Sequence, residues 1–109
     1  MSRQFPQPHL DELDLVGVLH ALSDPIRLEI VRELAEAGEG RPCGSFNVPV
    51  TKSTLTHHFR VLREAGVLAQ RNDGTTKLCT LRAADLEVRF PGLLDAVLSA
   101  APEPAQPVA

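Results

Sequence analysis

Six side chains hold the imidazole and thiol chemistry of this sequence: His9, His20, His57, His58, Cys43 and Cys79. Transition-metal ions favour such donors, but a site needs about three of them converging. Only two are neighbours, His57 and His58, inside the stretch TKSTLTHHFRVLREAGVL from Thr51 to Leu68. Successive residues of a helix turn by roughly 100°, so an adjacent pair serves two faces, not one ligand site. With Leu55 at the centre of an apolar face, Phe59 and Leu62 fall beside it and His58 lies at its edge. Ser53, His57, Arg60 and Glu64 fall opposite, flanked by Thr54, Thr56 and Val61. His58 therefore reads as hydrogen-bonded into the framework, and His57 as facing outward among hydroxyls and cations.

The other chemistries are thinner. The two cysteines form no CxxC pair, and in a reducing compartment they are expected to be free thiols. Cys43 could be paired with a histidine as nucleophile and base, but nothing in the sequence orients the two. There is no Ser/His/Asp grouping, phosphate-cradling glycine loop or paired-carboxylate motif, so the chain does not read as an enzyme.

The elements that must position these residues follow from periodicity and punctuation. Apolar residues at Leu10, Leu13, Val16, Leu19 and Leu22 predict a helix that stops at Ser23-Asp24-Pro25. Ile26, Ile30, Val31 and Leu34 mark the buried face of the next, ending near Gly38. Glu39 to Val50, with Gly40, Pro42, Gly44 and Pro49, is expected to be loop with at most a short helical turn. Thr51 can cap a helix that runs to about Ala65 and stops at Gly66. Val67–Arg71 and Thr75–Arg82 are β-compatible runs around Asn72-Asp73-Gly74, a hairpin signal. Ala83–Ala100 returns to helical pattern, with Pro91 expected to open a fresh helix. Residues 1–9 read as a flexible arm, 10–100 as a single domain and 101–109 as a disordered tail.

The 109 residues, 43% hydrophobic with four Phe and no Trp or Tyr, suffice for one aliphatic core. No run is long enough to span a bilayer and the start lacks a secretory pattern, so a soluble, cytoplasmic protein is expected. The net charge of −3 conceals a segregation. Between Thr51 and Arg82, Lys52, Arg60, Arg63, Arg71, Lys77 and Arg82 face only Glu64 and Asp73, a net of +4, which leaves −7 elsewhere. A basic surface on an acidic molecule is an electrostatic footprint for a polyanion, although surface charge scatter also produces such blocks. The outward face of the Thr51 helix suits a major groove, where hydroxyls, His and Arg reach base edges and phosphates. A merely solvated helix shows a similar face.

The order of parts tips the balance. Helix, connection, second amphipathic helix ending in Gly, then a basic-flanked hairpin, is a winged helix-turn-helix, mainly α with a small β-hairpin wing. In it the second helix enters the major groove, and Arg71 and Lys77 near the wing supply phosphate contacts.

With ALSDPIRLEIVREL (Ala21–Leu34), KSTLTHHFRVLREAGVL (Lys52–Leu68) and the wing NDGTTKLCTL, the sequence resembles the ArsR/SmtB family of bacterial winged-helix repressors. The resemblance covers residues 10–100. It implies a homodimer that binds the two halves of an inverted-repeat, double-stranded DNA operator and regulates transcription. Lys52, Ser53, Thr54, Thr56, His57 and Arg60 match the family's recognition-helix positions, and His58 a histidine common there. The first and last helices would form the dimer interface, through Leu10, Leu13, Val16 and Leu19 with Leu93, Leu94, Val97 and Leu98.

The resemblance also implies a metal or ligand that changes operator affinity. Neither known sensing pattern is intact. GRPCGSFNVPV holds one thiol where many metal sensors carry a CxC pair, and the last helical region has carboxylates but no histidine. The remaining candidate ligand set joins His9 of one subunit, with a neighbouring carboxylate, to Cys43 of the other. A divalent transition metal, nickel or zinc, is the ion that set would take. Two alternatives stay open: a winged helix used only to bind an acidic protein, and a regulator answering to a non-metal signal or a partner protein.

Overall fold

Side chains that interrupt the helical pattern set the boundaries of the helices. The computed structural model describes Arg3–Gln4 and residues 7–101. Arg3–Gln4 is a short strand, β1, and a 3-10 turn spans Leu10–Glu12. The first long helix was expected from Leu10, but α1 covers Leu15–Leu22. The physical reason lies at Asp14, whose carboxylate accepts the Gly17 N–H at 2.8 Å and caps the helix there. Leu13, released into extended backbone, turns into the core and is 1% exposed.

Ser23-Asp24-Pro25 ends α1 and opens α2, Pro25–Ala37, as the sequence predicts. Asp24 caps it by accepting the N–H groups of Ile26 and Arg27 at 2.9 and 3.1 Å, and Pro25 occupies the first turn, where no N–H is needed. The loop that follows contains strand β2, Arg41–Pro42, and a 3-10 turn, Cys43–Ser45. The long helix α3 covers Lys52–Glu64. Strands β3, Leu68–Asp73, and β4, Thr76–Leu81, form the hairpin. Its pairing of Asn72 with Lys77 and Asp73 with Thr76 leaves Gly74 and Thr75 as the loop, so the turn sits one position later than Asn72-Asp73-Gly74 implies. Gly74, with φ of 66°, supplies the positive dihedral that such a two-residue loop needs. Helices α4, Ala83–Arg89, and α5, Leu93–Ala100, close the chain. The break between them falls at Phe90-Pro91-Gly92, so the fresh helix starts two residues after Pro91.

The sheet is antiparallel in the order β1-β3-β4-β2. The expected flexible arm is therefore tied down where it is described. Arg3–Gln4 pairs with Asn72 and Arg71, and the Pro8 carbonyl accepts from Arg82 Nη1 at 2.7 Å. The expected disordered tail lies, from residue 102, outside the described residues. The core is aliphatic: Val18, Ile30, Val31, Leu34, Leu62, Val67, Leu68 and Leu86 are all buried, with Phe46 and Phe59 the buried phenylalanines among the described residues.

Candidate nucleic-acid interface

Thr51 starts α3 by accepting the Thr54 N–H at 3.3 Å through its hydroxyl, which also meets the hydroxyls of Ser53 and Thr54 at 3.3 and 3.0 Å. Lys52, Ser53, Thr54, Thr56, His57 and Arg60 are all exposed. Thr56 donates its hydroxyl to the Lys52 carbonyl at 2.9 Å. The first acid in α3 is Glu64, its last residue. The exposed ridge thus carries cations, hydroxyls and one imidazole across three turns with no carboxylate among them.

What orients this ridge is a buried cation. Arg27 on α2, 8% exposed, donates from Nε to the Ala21 carbonyl at 2.6 Å and from Nη2 to the His20 carbonyl at 3.3 Å. Its Nη1 lies 3.2 Å from His58 Nδ1 on α3, so the imidazole accepts there and its proton sits on Nε2. Burial pushes the His58 pKa below its ordinary value; Asp24 at 3.9 Å pulls it up, and Arg27 and His57 push it down again. Neutral His58 is the form that fits Arg27. The doublet thus divides as its spacing predicts, His58 buried and His57 exposed.

The loop before α3 has no supporting helix, and Arg41 takes over its work. Arg41 donates to Glu33 Oε1 at 2.8 Å and to the Ser45 carbonyl at 2.6 Å, and its guanidinium lies 4.5 Å over the Phe46 ring. Phe46 in turn packs on Phe59 of α3, ring centroids 5.5 Å apart. At its other end α3 closes in a Schellman motif: Val67 N–H to the Leu62 carbonyl at 2.9 Å and Gly66 N–H to that of Arg63 at 3.0 Å.

The six cations between Thr51 and Arg82 are not equivalent. Arg63 donates to Gln70 Oε1 at 2.6 Å, and Arg82 holds Pro8 and Asp85, so both serve the framework. Residues along a strand alternate between faces. Lys77, opposite Asn72, shares the face of Gln70 and Cys79, and with Lys52 and Arg60 it lines a pocket of ≈400 Å³ between α3 and the hairpin. Arg71, opposite Leu78, turns to the other face. Sequence reasoning grouped Arg71 and Lys77 on one wing without that distinction.

Cys43 borders the same pocket. Its sulfur accepts from Gln70 Nε2 at 3.4 Å and lies beside Cys79, which the same amide reaches at 3.8 Å. The hydrogen bond from the Cys79 thiol lowers the Cys43 pKa to about 7 against the opposing effect of burial, with help from Gln70 and Lys77. The same hydrogen bond, with burial, raises the Cys79 pKa. His9 is not among the residues lining this pocket; its N–H bonds Glu12 at 2.7 Å in the Leu10–Glu12 turn. Among the described residues no three His, Cys, Asp or Glu side chains are grouped as a metal ion would need. The Cys43–Gln70–Cys79 cluster was missed by the sequence reading. The observed register sets Gln70 opposite Cys79, whereas a turn centred on Asp73-Gly74 would have set it opposite Lys77.

The residues expected at a dimer interface separate into two groups. Leu13 and Leu94 are buried within the protomer and Leu10 is half-buried, so Leu13 presents no outward surface. Val16 is 74% exposed, with Leu15 and Leu19 exposed beside it, while Leu93, Val97 and Leu98 on α5 are half-buried. No helix among the described residues is long and apolar enough to cross a membrane.

Helix, irregular connection, ridge-bearing helix and basic hairpin define a DNA-binding winged helix-turn-helix protein. A family model described as a helix-turn-helix domain matches residues 22–71. The uncharacterized HTH-type transcriptional regulator YceK of Bacillus subtilis (strain 168) is 39% identical over 80 residues, 72% of this chain and 80% of that protein. The arsenical resistance operon repressor of the same organism is 36% identical over 56 residues, 50% of this chain and 53% of the repressor. A crystal structure titled as a possible transcriptional regulator for arsenical resistance superposes with a TM-score of 0.60 at 25% identity, covering 76% of this chain and 84% of that one. The chain belongs to the ArsR-type family of winged helix-turn-helix transcriptional regulators.

Proposed function

We propose that the chain acts in the cytoplasm as a homodimer that grips an inverted-repeat operator, and that it works by binding rather than by catalysing a reaction. One α3 ridge enters the major groove of each half-site. Lys52, Ser53, Thr54, Thr56, His57 and Arg60 contact base edges and phosphates there, and the hairpin lies along the backbone through Lys77 and Arg71. The observation that carries this reading is the ridge itself, three exposed turns of cations and hydroxyls without an acid. A duplex surrounds α3 with phosphates, so a carboxylate on that face would cost affinity, while each neutralised phosphate releases counterions.

The dimer is proposed to form through Val16, Leu15 and Leu19 of α1 with Leu93, Val97 and Leu98 of α5. The test is fluorescence anisotropy on a palindromic duplex selected from random sequence by the purified protein, across a salt series. The parent should lose affinity steeply as salt rises. Arg60→Ala should bind about 1–3 kcal/mol more weakly, and Lys77→Ala should flatten the salt slope by about one. Salt-insensitive binding, or an Arg60→Ala protein that binds like the parent, would overturn the reading in favour of a winged helix that meets protein partners.

A further inference from the structure

We propose that Cys43 and Cys79 form an oxidisable pair. A hydroperoxide entering the pocket between α3 and the hairpin is reduced by Cys43, and Cys79 then closes a disulfide within the same chain. The sheet brings the two together: Arg41 pairs with Cys79 and Pro42 with Leu78, so Cys43, the next residue, stands diagonal to Cys79. One amide nitrogen, Gln70 Nε2, reaches both sulfurs, at 3.4 and 3.8 Å. Access is unequal. Cys43 borders the ≈400 Å³ pocket, whereas Cys79 is 0% exposed and cannot meet an oxidant first. That asymmetry divides the roles into an attacking and a resolving thiol.

The surroundings favour the first step. Lys52, Arg60, Arg63 and Lys77 line the pocket, and a Cys43 pKa of about 7 keeps a large share of the thiol ionised near neutral pH. The thiolate is the reacting form. It attacks the terminal hydroperoxide oxygen, so an S–O bond forms as the O–O bond breaks. The departing oxyanion, stabilised by the cationic wall, takes up a proton and leaves as water or an alcohol. The Cys79 sulfur next attacks the sulfenic sulfur of Cys43. An S–S bond forms, the S–O bond breaks, and the hydroxyl leaves with the Cys79 proton as water. Two thiols and one hydroperoxide thus become one disulfide, water and a second water or an alcohol. Cys43 begins a 3-10 turn after a two-residue strand, so little regular structure resists its shift toward β4.

The bond also has a route to the DNA face, and this part rests on the reading given above. Gln70, which donates to both sulfurs, accepts from Arg63 of α3 at 2.6 Å. Oxidation removes the thiolate from that chain of contacts and pulls the pocket wall away from Lys52 and Arg60. The oxidised protein is expected to bind the selected duplex several-fold more weakly.

The experiment treats the reduced 109-residue chain with one equivalent of hydrogen peroxide or cumene hydroperoxide, followed by non-reducing peptide mass mapping and anisotropy. The expected product is an intramolecular Cys43–Cys79 link, two hydrogens lighter and reversed by dithiothreitol. Cys79→Ser should stop at a Cys43 sulfenic acid that dimedone captures, and Cys43→Ser should leave the Cys79 thiol intact. The pair is overturned if both thiols of the parent survive, if the link joins two chains, or if Cys79 reacts as readily without Cys43. Mapping of the parent requires no variant to fold. A link that forms without change in duplex affinity sinks only the coupling to DNA. A reduced protein that fails to bind the duplex sinks the DNA reading and leaves the pair standing.

Discussion

Arg27 donates to two carbonyls at the end of α1 and faces the imidazole of His58 on α3, so one buried cation ties three helices together. Removing the acceptor leaves that cation short of a partner, and His58→Ala should cost about 1–3 kcal/mol of stability. The contact also has a pH signature. Burial lowers the His58 pKa on folding, so below about 6.5 the unfolded chain binds more protons than the folded one. The stability contributed by the neutral imidazole is present above that value and is lost as pH falls through the lowered folded pKa. Thermal midpoints measured from pH 7 to pH 5 should therefore fall more steeply for the parent than for His58→Asn, which keeps an acceptor but does not titrate. Parallel profiles would remove His58 as the source. At this scale the sequence was informative, because adjacent positions on a helix diverge by a known angle. It separated His57 from His58 and placed the ridge residues. It could not tell which cations are used internally. Arg63 and Arg82 look no different from Arg60 until Gln70, Pro8 and Asp85 are placed around them.

Element boundaries show where local signals suffice. Asp24-Pro25, Thr51 and Gly66 punctuate the helices as their chemistry requires, since caps act within one turn of the residue that makes them. The break at Leu13-Asp14 was not legible. Leu10, Leu13 and Val16 keep helical spacing, which does not show that Asp14 caps α1 or that the released Leu13 packs against Gly66. A Cβ on Gly66 would fall 1.9 Å from Leu13 Cδ2, and the residue has φ of +85°. Gly66→Ala should thus combine a positive-φ cost of about 1–3 kcal/mol with displacement of Leu13 from the core. A thermal melt should show a drop well beyond that of Gly44→Ala, where a Cβ meets nothing within 4 Å. Equal melting points for the two variants would mean that Leu13 is not seated on Gly66. The Cys43–Gln70–Cys79 cluster was hidden for a similar reason. Its members lie 27 and 9 residues apart and meet only through strand register.

An inverted-repeat operator presents its half-sites about 34–36 Å apart, so a single ridge can engage only one of them. In the proposed homodimer the second half-site falls to another copy. The apolar residues left outside the core at the start of α1 are Leu15, Val16 and Leu19. Val16, at 74% exposed, contributes almost nothing to the protomer's own packing, so a substitution there should stay within about 0.5 kcal/mol of parental stability. In a dimer seam the same position would be desolvated, and a carboxylate from each copy would be buried without a partner. Val16→Glu is therefore expected to sediment as a monomer, to unfold near the temperature of the parent diluted to monomer, and to lose most of its affinity for a two-half-site duplex. Its weak binding to an isolated half-site should be retained, because the α3 ridge is untouched. If Val16→Glu still sediments as a dimer, the seam lies elsewhere on the molecule; if the parent itself is monomeric at the concentration where it binds, two-ridge recognition fails outright.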